Sequence, residues 1–473
     1  MATRETIEAL ERSDLVAFIG AALSCSGQDE FYGDAKGQAV SIGFFHEYML
    51  AGYRRMYAHC LAVSINDYNR ALIILNLLEH AEGLAPRERA EEGRLIAAAL
   101  RRLPPPRAYR IFEALVDRRT NNRRTRKLVA DYLATRAEPE LHAIKYRRRL
   151  ARIVRHFHLR LPDEESAVLF GQPRRRFDTP LFETYRRARY EQRAIYELPF
   201  TVAEGLAARH RIPRDVFLRG IAAKLTKLER LRLQASGERL GVEAVRDDDL
   251  ARHGLTRLAI YFLSLDRHAR RERFAAFDAA LRSAARRVAA RSSTRLGRVA
   301  LVADNSDSAS ASRDKHDRPL ALALAAHYLI AALAEAPSTH WLSPIDSPID
   351  LRATGHTDLA SAILAALERE PELVVVVSDG YDNDPPGGAA ELVRVFRTRI
   401  DPERRVGLVH LSPAYDAAAF ELHGIHPTMP TLGLRDAETI PTLLTFARFA
   451  EGSASLRELQ DTLERHAAEL VGA

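Results

Sequence analysis

Apolar and polar positions follow two different rules along this chain. Over residues 1–290 apolar residues recur at helical spacing and strand-like alternation is scarce. In DVFLRGIAAKLTKLERL, Leu218, Ile221, Leu225 and Leu228 are spaced 3, 4 and 3 apart and form one stripe, with Arg219, Lys224, Lys227 and Arg230 on the other side. In RTRKLVADYLATR, Leu128, Val129, Tyr132 and Leu133 form the face to be buried. Pro104 to Pro106, Pro139, Pro162 and Pro213 fall between periodic segments, where helix breakers belong. The pattern predicts helix after helix, without a strict repeat. Stacked antiparallel helix pairs are expected, and a compact bundle is the alternative.

Around RSSTRLG (291–297) the rule changes and strands alternate with helices. Strands are predicted at RVALVAD (298–304), HWL (340–342), ELVVVVSD (372–379) and VGLVHLS (406–412). Helices are predicted at about 320–335, 358–370, 391–399 and 440–449. Near-continuous apolar strands alternating with helices imply a parallel sheet covered on both faces. The fold class is therefore multidomain: an all-α helical-repeat (HEAT-like) region, 1–290, and an α/β Rossmann-like domain, 291–473.

In a parallel α/β sheet, ligands bind beyond the carboxyl ends of the strands, where strand order reverses. Polar residues cluster at those ends here. Strand RVALVAD ends in Asp304, followed by Ser306 and Ser308; a second loop reads Gly355-His356-Thr357-Asp358; strand ELVVVVSD ends in Asp379-Gly380. Asp-x-Ser-x-Ser lets one loop direct a carboxylate and two hydroxyls to a point. Hard oxygen donors of low total charge suit Mg²⁺, and no His or Cys set of the kind zinc prefers is present. This ordered triple resembles the metal-ion-dependent adhesion site (MIDAS) of von Willebrand factor A (vWA) domains over roughly residues 298–450. The resemblance implies that Ser306, Ser308 and Thr357 coordinate the metal through hydroxyls. Asp304 and Asp379 would act directly or through water, and an open position would accept a partner's carboxylate or phosphate. The chain departs from the family at Asp307-Ser308-Ala309 and in the polar insert SASRDKHDRP that follows.

Charge divides the chain further. Residues 291–473 hold 17 Lys+Arg against 26 Asp+Glu, net −9, which leaves 1–290 at +16 of the total +7. A basic part joined to an acidic part points to a polyanion partner for the first. Basic clusters lie at 118–127, 145–160, 173–177, 185–193 and 267–273, with Tyr146, Phe157, Phe177, Tyr185 and Tyr190 interleaved. Arginine offers bidentate phosphate contacts and aromatic rings offer stacking surfaces for unpaired bases. Any single cluster also reads as a solvated helix face with i,i+4 ion pairs; the set together favours nucleic acid. Candidate RNA-binding residues are Arg123, Arg124, Arg126, Lys127, Arg147, Arg148, Arg149, Arg155, His156 and His158.

A basic helical region followed by a vWA domain resembles the TROVE family, the Ro-type RNA-binding proteins. This implies a ring of helical repeats closed by the vWA domain, a non-enzymatic role, and binding of structured, misfolded or small noncoding RNA as a ribonucleoprotein. The alternative is a vWA adaptor that captures a protein partner, such as a MoxR-type AAA+ ATPase, through the metal site.

Other features exclude more than they suggest. Cys25 and Cys60 give no disulfide framework, which fits a reducing compartment. MATRETIEALERSD is too charged for a signal peptide, and Leu320 to Ala334 is shorter than a membrane span, so a cytoplasmic protein with no membrane partner is expected. His156 and His158, at i,i+2, do not face each other on a helix. Asp382, Asn383 and Asp384 lack the closing Glu of an EF-hand and read as a rim to the cation site. No phosphate loop ending in Lys-Ser/Thr is present. Ser24-Cys25-Ser26 has no partner that marks a nucleophile, and Cys25 reads as a core residue.

Overall fold

The computed structural model describes residues 4–29, 34–226, 229–230, 233, 240–242, 250–292, 295–310, 316–419, 421–450 and 454–472. The chain divides into two compact units, residues 1–73 with 250–473, and residues 74–249. The line expected at 290/291 separates helices from sheet; the compact units divide the chain elsewhere.

The first unit is built on a five-stranded, all-parallel sheet. Its strands are β1 (Leu296–Ala303), β2 (Ala334–Trp341), β3 (Leu373–Val377), β4 (Gly407–Ser412) and β5 (Thr431–Gly433), in the order β2-β1-β3-β4-β5. Val374 to Val377 are β-branched and buried, as a strand covered on both faces requires. One face packs on Leu359, Ile363, Val393 and Phe396, each fully buried aliphatic group contributing about 1.5–3 kcal/mol. Strand order reverses between β1 and β3, so the loops after these two strands diverge from one point. The strand expected at HWL is longer and begins at Ala334, directly after the helix Arg318–Leu333. Two elements went unassigned from the sequence: the three-residue β5, too short to carry a pattern, and the helix Leu456–Gly472, whose buried Leu456, Leu459, Leu463, Ala467 and Leu470 do recur at helical spacing.

Two amino-terminal helices, α1 (Arg4–Ser24) and α2 (Ala35–His59), belong to this unit. α1 lies along β5 so closely that a Cβ on Gly433 would meet the Gly20 carbonyl at 2.0 Å. Ser24 Oγ donates to Ser412 O (2.9 Å), and Arg435 Nη1 donates to Ile65 O (2.8 Å). Covering β5 in this way removes an exposed sheet edge. Cys25 is wholly buried.

The second unit is helical. Its members include Pro86–Arg102, Pro105–Asp117, Arg123–Thr135, Pro139–Lys145, Arg147–His156, Asp163–Phe170, Pro180–Ala188, Phe200–Arg209 and Arg214–Ile221. Proline opens or immediately precedes most of them, where its missing N–H has no intrahelical partner to lose. Helix Pro105–Asp117 packs against Arg147–His156, and Pro86–Arg102 against Arg123–Thr135. Val129, Tyr132 and Leu133 are buried as the spacing predicts, while Leu128 is half-buried. The stripe from Leu218 does not continue as one helix. The α-helix ends at Ile221, passes through a 3₁₀ turn at Ala222–Lys224, and turns extended at Leu225. Lys227 and Leu228 lie outside the described residues. Among the described residues, no helix is long and apolar enough to cross a membrane.

Candidate cation site and basic helices

β1 and β3 are neighbours in register, with Ala303 beside Val377, so the chain leaves both strands at the same level. Asp304 N–H donates to Val377 O (3.0 Å) at that exit. The Asp304 carboxylate then ties the two exits together. Oδ1 accepts from Ser306 N (2.8 Å) and Oδ2 from Ser378 Oγ (2.9 Å). Ser306 Oγ and Ser308 Oγ stand 3.1 Å apart.

The Thr357 loop is bonded to both of the others. Asp307 N donates to Gly355 O (3.1 Å) and Thr354 N to Asn305 O (2.8 Å). Asn383 N and Asp384 N both donate to Thr357 O (3.1 Å each). Asp358 caps the helix Leu359–Leu367 by accepting from Ser361 N (2.9 Å), which anchors the loop from its far side. Asp382 also serves two helix starts, accepting from Leu359 N (3.3 Å) and Ala389 N (2.6 Å). The three predicted loops thus converge on one rim of the sheet, carrying Asp304, Ser306, Ser308, Thr357 and Asp379.

Asp304, Ser306, Thr357 and Asp379 are buried, and Ser308 is half-buried. Burial pushes the Asp304 carboxyl above the usual carboxylate range, opposed by hydrogen bonds from Ser306 and Ser378. A desolvated carboxylate beside converging hydroxyls gains by sharing a cation. The separation of the two serine oxygens also fits: adjacent corners of an octahedron with bonds of about 2.0–2.1 Å lie about 2.9 Å apart. Among the described residues, no group of three or more His, Cys, Asp or Glu is placed to hold a metal ion. Behind the rim, burial pulls the His410 imidazole down to about 4, so it is neutral at pH 7. Its Nε2 lies 2.9 Å from Ser378 O, and its Nδ1 3.1 Å from Thr431 Oγ1. A carbonyl only accepts, so Nε2 carries the proton and the Thr431 hydroxyl donates to Nδ1.

No family profile matches the sequence, and comparison with curated proteins finds no relative. Structure comparison does. The crystal structure of the Deinococcus radiodurans Ro (Rsr) protein superposes with a TM-score of 0.57 at 16% identity, over 93% of this chain and 100% of that one. The chain has the Ro fold. Many helices precede a parallel five-stranded α/β domain, as the Ro fold requires.

Within the helical unit of this Ro fold, the candidate basic residues separate by what they touch. Arg124 pairs with Glu92 (3.2 Å) and donates to Leu77 O; Arg149 pairs with Glu113 (2.6 Å). Arg147 Nε donates to Leu169 O (3.2 Å). These three hold helices together. Lys127 pairs with Asp131 (2.9 Å) in the open, and Arg155 lies over the Phe170 ring (4.9 Å) while remaining exposed. Arg123, Arg126, Arg148 and His158 are exposed, and His156 Nε2 sits 3.3 Å from Thr120 O. Of the interleaved rings, Phe157, in the turn after Arg147–His156, and Phe177, in the loop before Pro180–Ala188, are buried core residues and offer no stacking surface. Tyr146 and Tyr185 are half-buried, and Tyr190 is 78% exposed.

Sequence reasoning passed over Ser378, Asn305 and His410. Ser378 fixes Asp304 directly, and Asn305 exchanges two 2.9 Å hydrogen bonds with Ser343 that hold the first loop. Ser378 had a signal, since it is the polar residue ending the apolar run immediately before Asp379. His410 had none, because one histidine in an apolar strand reads as filler.

Proposed function

We propose that this is a non-enzymatic, Ro-like RNA-binding protein with a Mg²⁺-binding vWA-type domain. The observation that carries the reading is the Ro fold over 93% of the chain, joined to the charge of its helical unit. Residues 74–249 hold 38 Lys+Arg against 25 Asp+Glu, net +13, whereas the sheet-bearing unit holds 32 against 38, net −6. Exposed Arg123, Arg126, Arg148 and Arg155 grip phosphates, and Tyr190 offers a stacking face for an unpaired base. Arg124, Arg147 and Arg149 shape the surface that presents them.

In the sheet-bearing unit, Ser306, Ser308 and Thr357 hold the cation through hydroxyl oxygens, and Asp304 and Asp379 balance its charge. The bound cation supplies a Lewis-acidic position for an anionic oxygen of a partner. The protein's own part is to keep five oxygen donors converged and desolvated.

The test is binding of a structured RNA with a single-stranded 3′ tail across a salt series. Affinity is expected to fall linearly on a log–log plot, by about 0.7–0.9 per neutralised phosphate. Absence of salt-sensitive binding at low ionic strength removes the reading.

A further inference from the structure

The turn that carries Asp379 is clasped from outside the sheet. Gly380 has φ +89°, and a Cβ there would lie 2.4 Å from His423 O and 3.0 Å from His410 Cε1. Only glycine lets the two backbones meet so closely. Tyr381, the next residue, donates its backbone N–H to Asp379 Oδ1 (3.1 Å). Its ring lies flat on the His423 imidazole, with centroids 4.2 Å apart and planes 2° from parallel. Its hydroxyl donates to Asp416 Oδ2 (2.6 Å). Asp416 is itself fixed: Oδ1 accepts from Ala418 N (2.8 Å), and its backbone pairs with Glu421.

This clasp is rooted in the amino-terminal helices, far away in sequence. Tyr415 is buried against Ala21, Cys25 and Ile42. Its carbonyl accepts from Gln38 Nε2 (2.7 Å), and its hydroxyl lies 2.8 Å from Ser41 Oγ. Gln38 and Ser41 are both buried on α2. A continuous series of contacts therefore runs from α2 through Tyr415, Asp416 and Tyr381 to Asp379.

The geometry points to Tyr381 as a positioning residue for the cation: it holds the Asp379 carboxylate in place, and the 415–423 segment gives it the support of α1 and α2. The inference rests on the Mg²⁺ reading above. Groups that orient a metal-ligating carboxylate commonly change metal affinity about 10–100-fold when removed. Removing only the Tyr381 hydroxyl leaves the stack on His423, so the effect falls at or below the bottom of that range.

Calorimetric titration of the full chain with Mg²⁺ and Mn²⁺, paired with melting curves with and without cation, tests this. Asp304→Ala serves as the ligand-loss control. Tyr381→Phe is expected to weaken cation binding about 3–10-fold, while the melting temperature without cation stays at the wild-type value. Gln38→Leu is expected to shift affinity in the same direction; if it fails to fold, Tyr381→Phe alone decides. Wild-type affinity in Tyr381→Phe, with the wild type binding and Asp304→Ala not, overturns the inference and leaves the cation reading standing. A fall in affinity fully matched by a fall in cation-free stability overturns it too. No cation binding by the wild type removes the Mg²⁺ reading and this inference with it.

Discussion

The sheet-bearing unit and the unit of residues 74–249 handle polar groups in opposite ways. In the first, Asp304, Thr357, Asp379 and His410 are buried, and Asp304 and His410 are fixed by named partners on adjacent strands or loops. In the second, Arg123, Arg126, Arg148 and Arg155 stand in water on separate helices. The difference follows from the two tasks. A small cation needs oxygens placed to within a few tenths of an ångström, so loops must be tied to one another. A polyanion needs density of positive charge, and its counterion-release term tolerates wide variation in where each charge sits. Single changes should therefore act in an all-or-none manner at the sheet rim and in graded steps on the helices.

Asp304→Ala breaks the comparison most severely. It is expected to abolish any cation-induced rise in melting temperature and to leave the salt dependence of RNA binding unchanged; loss of both would show that the two units do not work separately. On the helical side, replacing Arg123, Arg126, Arg148 and Arg155 together with Gln should reduce the log–log salt slope by about 3, and each single change by under about 1. A filter-binding series in which one substitution accounts for the whole effect contradicts the graded picture.

The helical unit also has a buried charge pair, which sharpens the contrast. Arg136 and Glu165 pair with side chains only 2% and 8% exposed, and burial raises the Glu165 carboxyl while Arg136 opposes the rise. Arg136→Met leaves Glu165 buried without its partner, and should destabilise the protein by about 3–5 kcal/mol in urea denaturation. The exposed Lys127–Asp131 pair lies at the other extreme, and is taken up last below.

Acidification acts on a buried imidazole of each unit in one direction. Burial pulls His46 down to about 4, opposed by its hydrogen bond to Asn69; burial with Arg136 and Lys145 pulls His142 to about 4. Their unfolded value is 6.5, so the unfolded chain takes up the proton first. Stability is thus full above 6.5 and is lost as pH falls from there towards 4. Between pH 7 and 5 the loss is about 2 kcal/mol for His46 and less for His142. A His46→Gln variant whose loss of stability between pH 7 and 5 in urea equals that of the wild type contradicts the buried neutral imidazole. The smallest expected effect is Lys127→Ala, within about 0.5 kcal/mol of wild type by the same denaturation, because both partners are exposed.

Much of this was legible in the chain itself, for a physical reason in each case. ELVVVVSD could be read as a buried strand because β-branched residues that face apolar surroundings on both sides leave no polar alternation. The Asp304, Thr357 and Asp379 loops could be read because parallel strands deliver their carboxyl ends to one rim, so local spacing foretells spatial convergence. The helix 123–135 was legible from its stripe; the structure adds Asn122, which caps it. The stripe from Leu218 misled, since correct periodicity does not prevent a turn at Ala222 when the chain is packed from outside. β5 was too short to carry a pattern at all. The aromatic rings among the arginines were legible as residues but not as surfaces: the same spacing buries Phe157 and Phe177 and exposes Tyr190.

What the sequence determined alone was local: which segments are helix or strand, where the charge lies, and which oxygen donors follow β1 and β3. What the tertiary structure decided was every pairing between distant segments. It placed residues 1–73 with the sheet, put Gln38 on Tyr415 across 377 positions, and laid Tyr381 on His423. Periodicity and spacing report the environment a segment requires, because burial acts on each residue separately. They do not report which distant segment supplies that environment, since many apolar or polar surfaces would satisfy the same local demand.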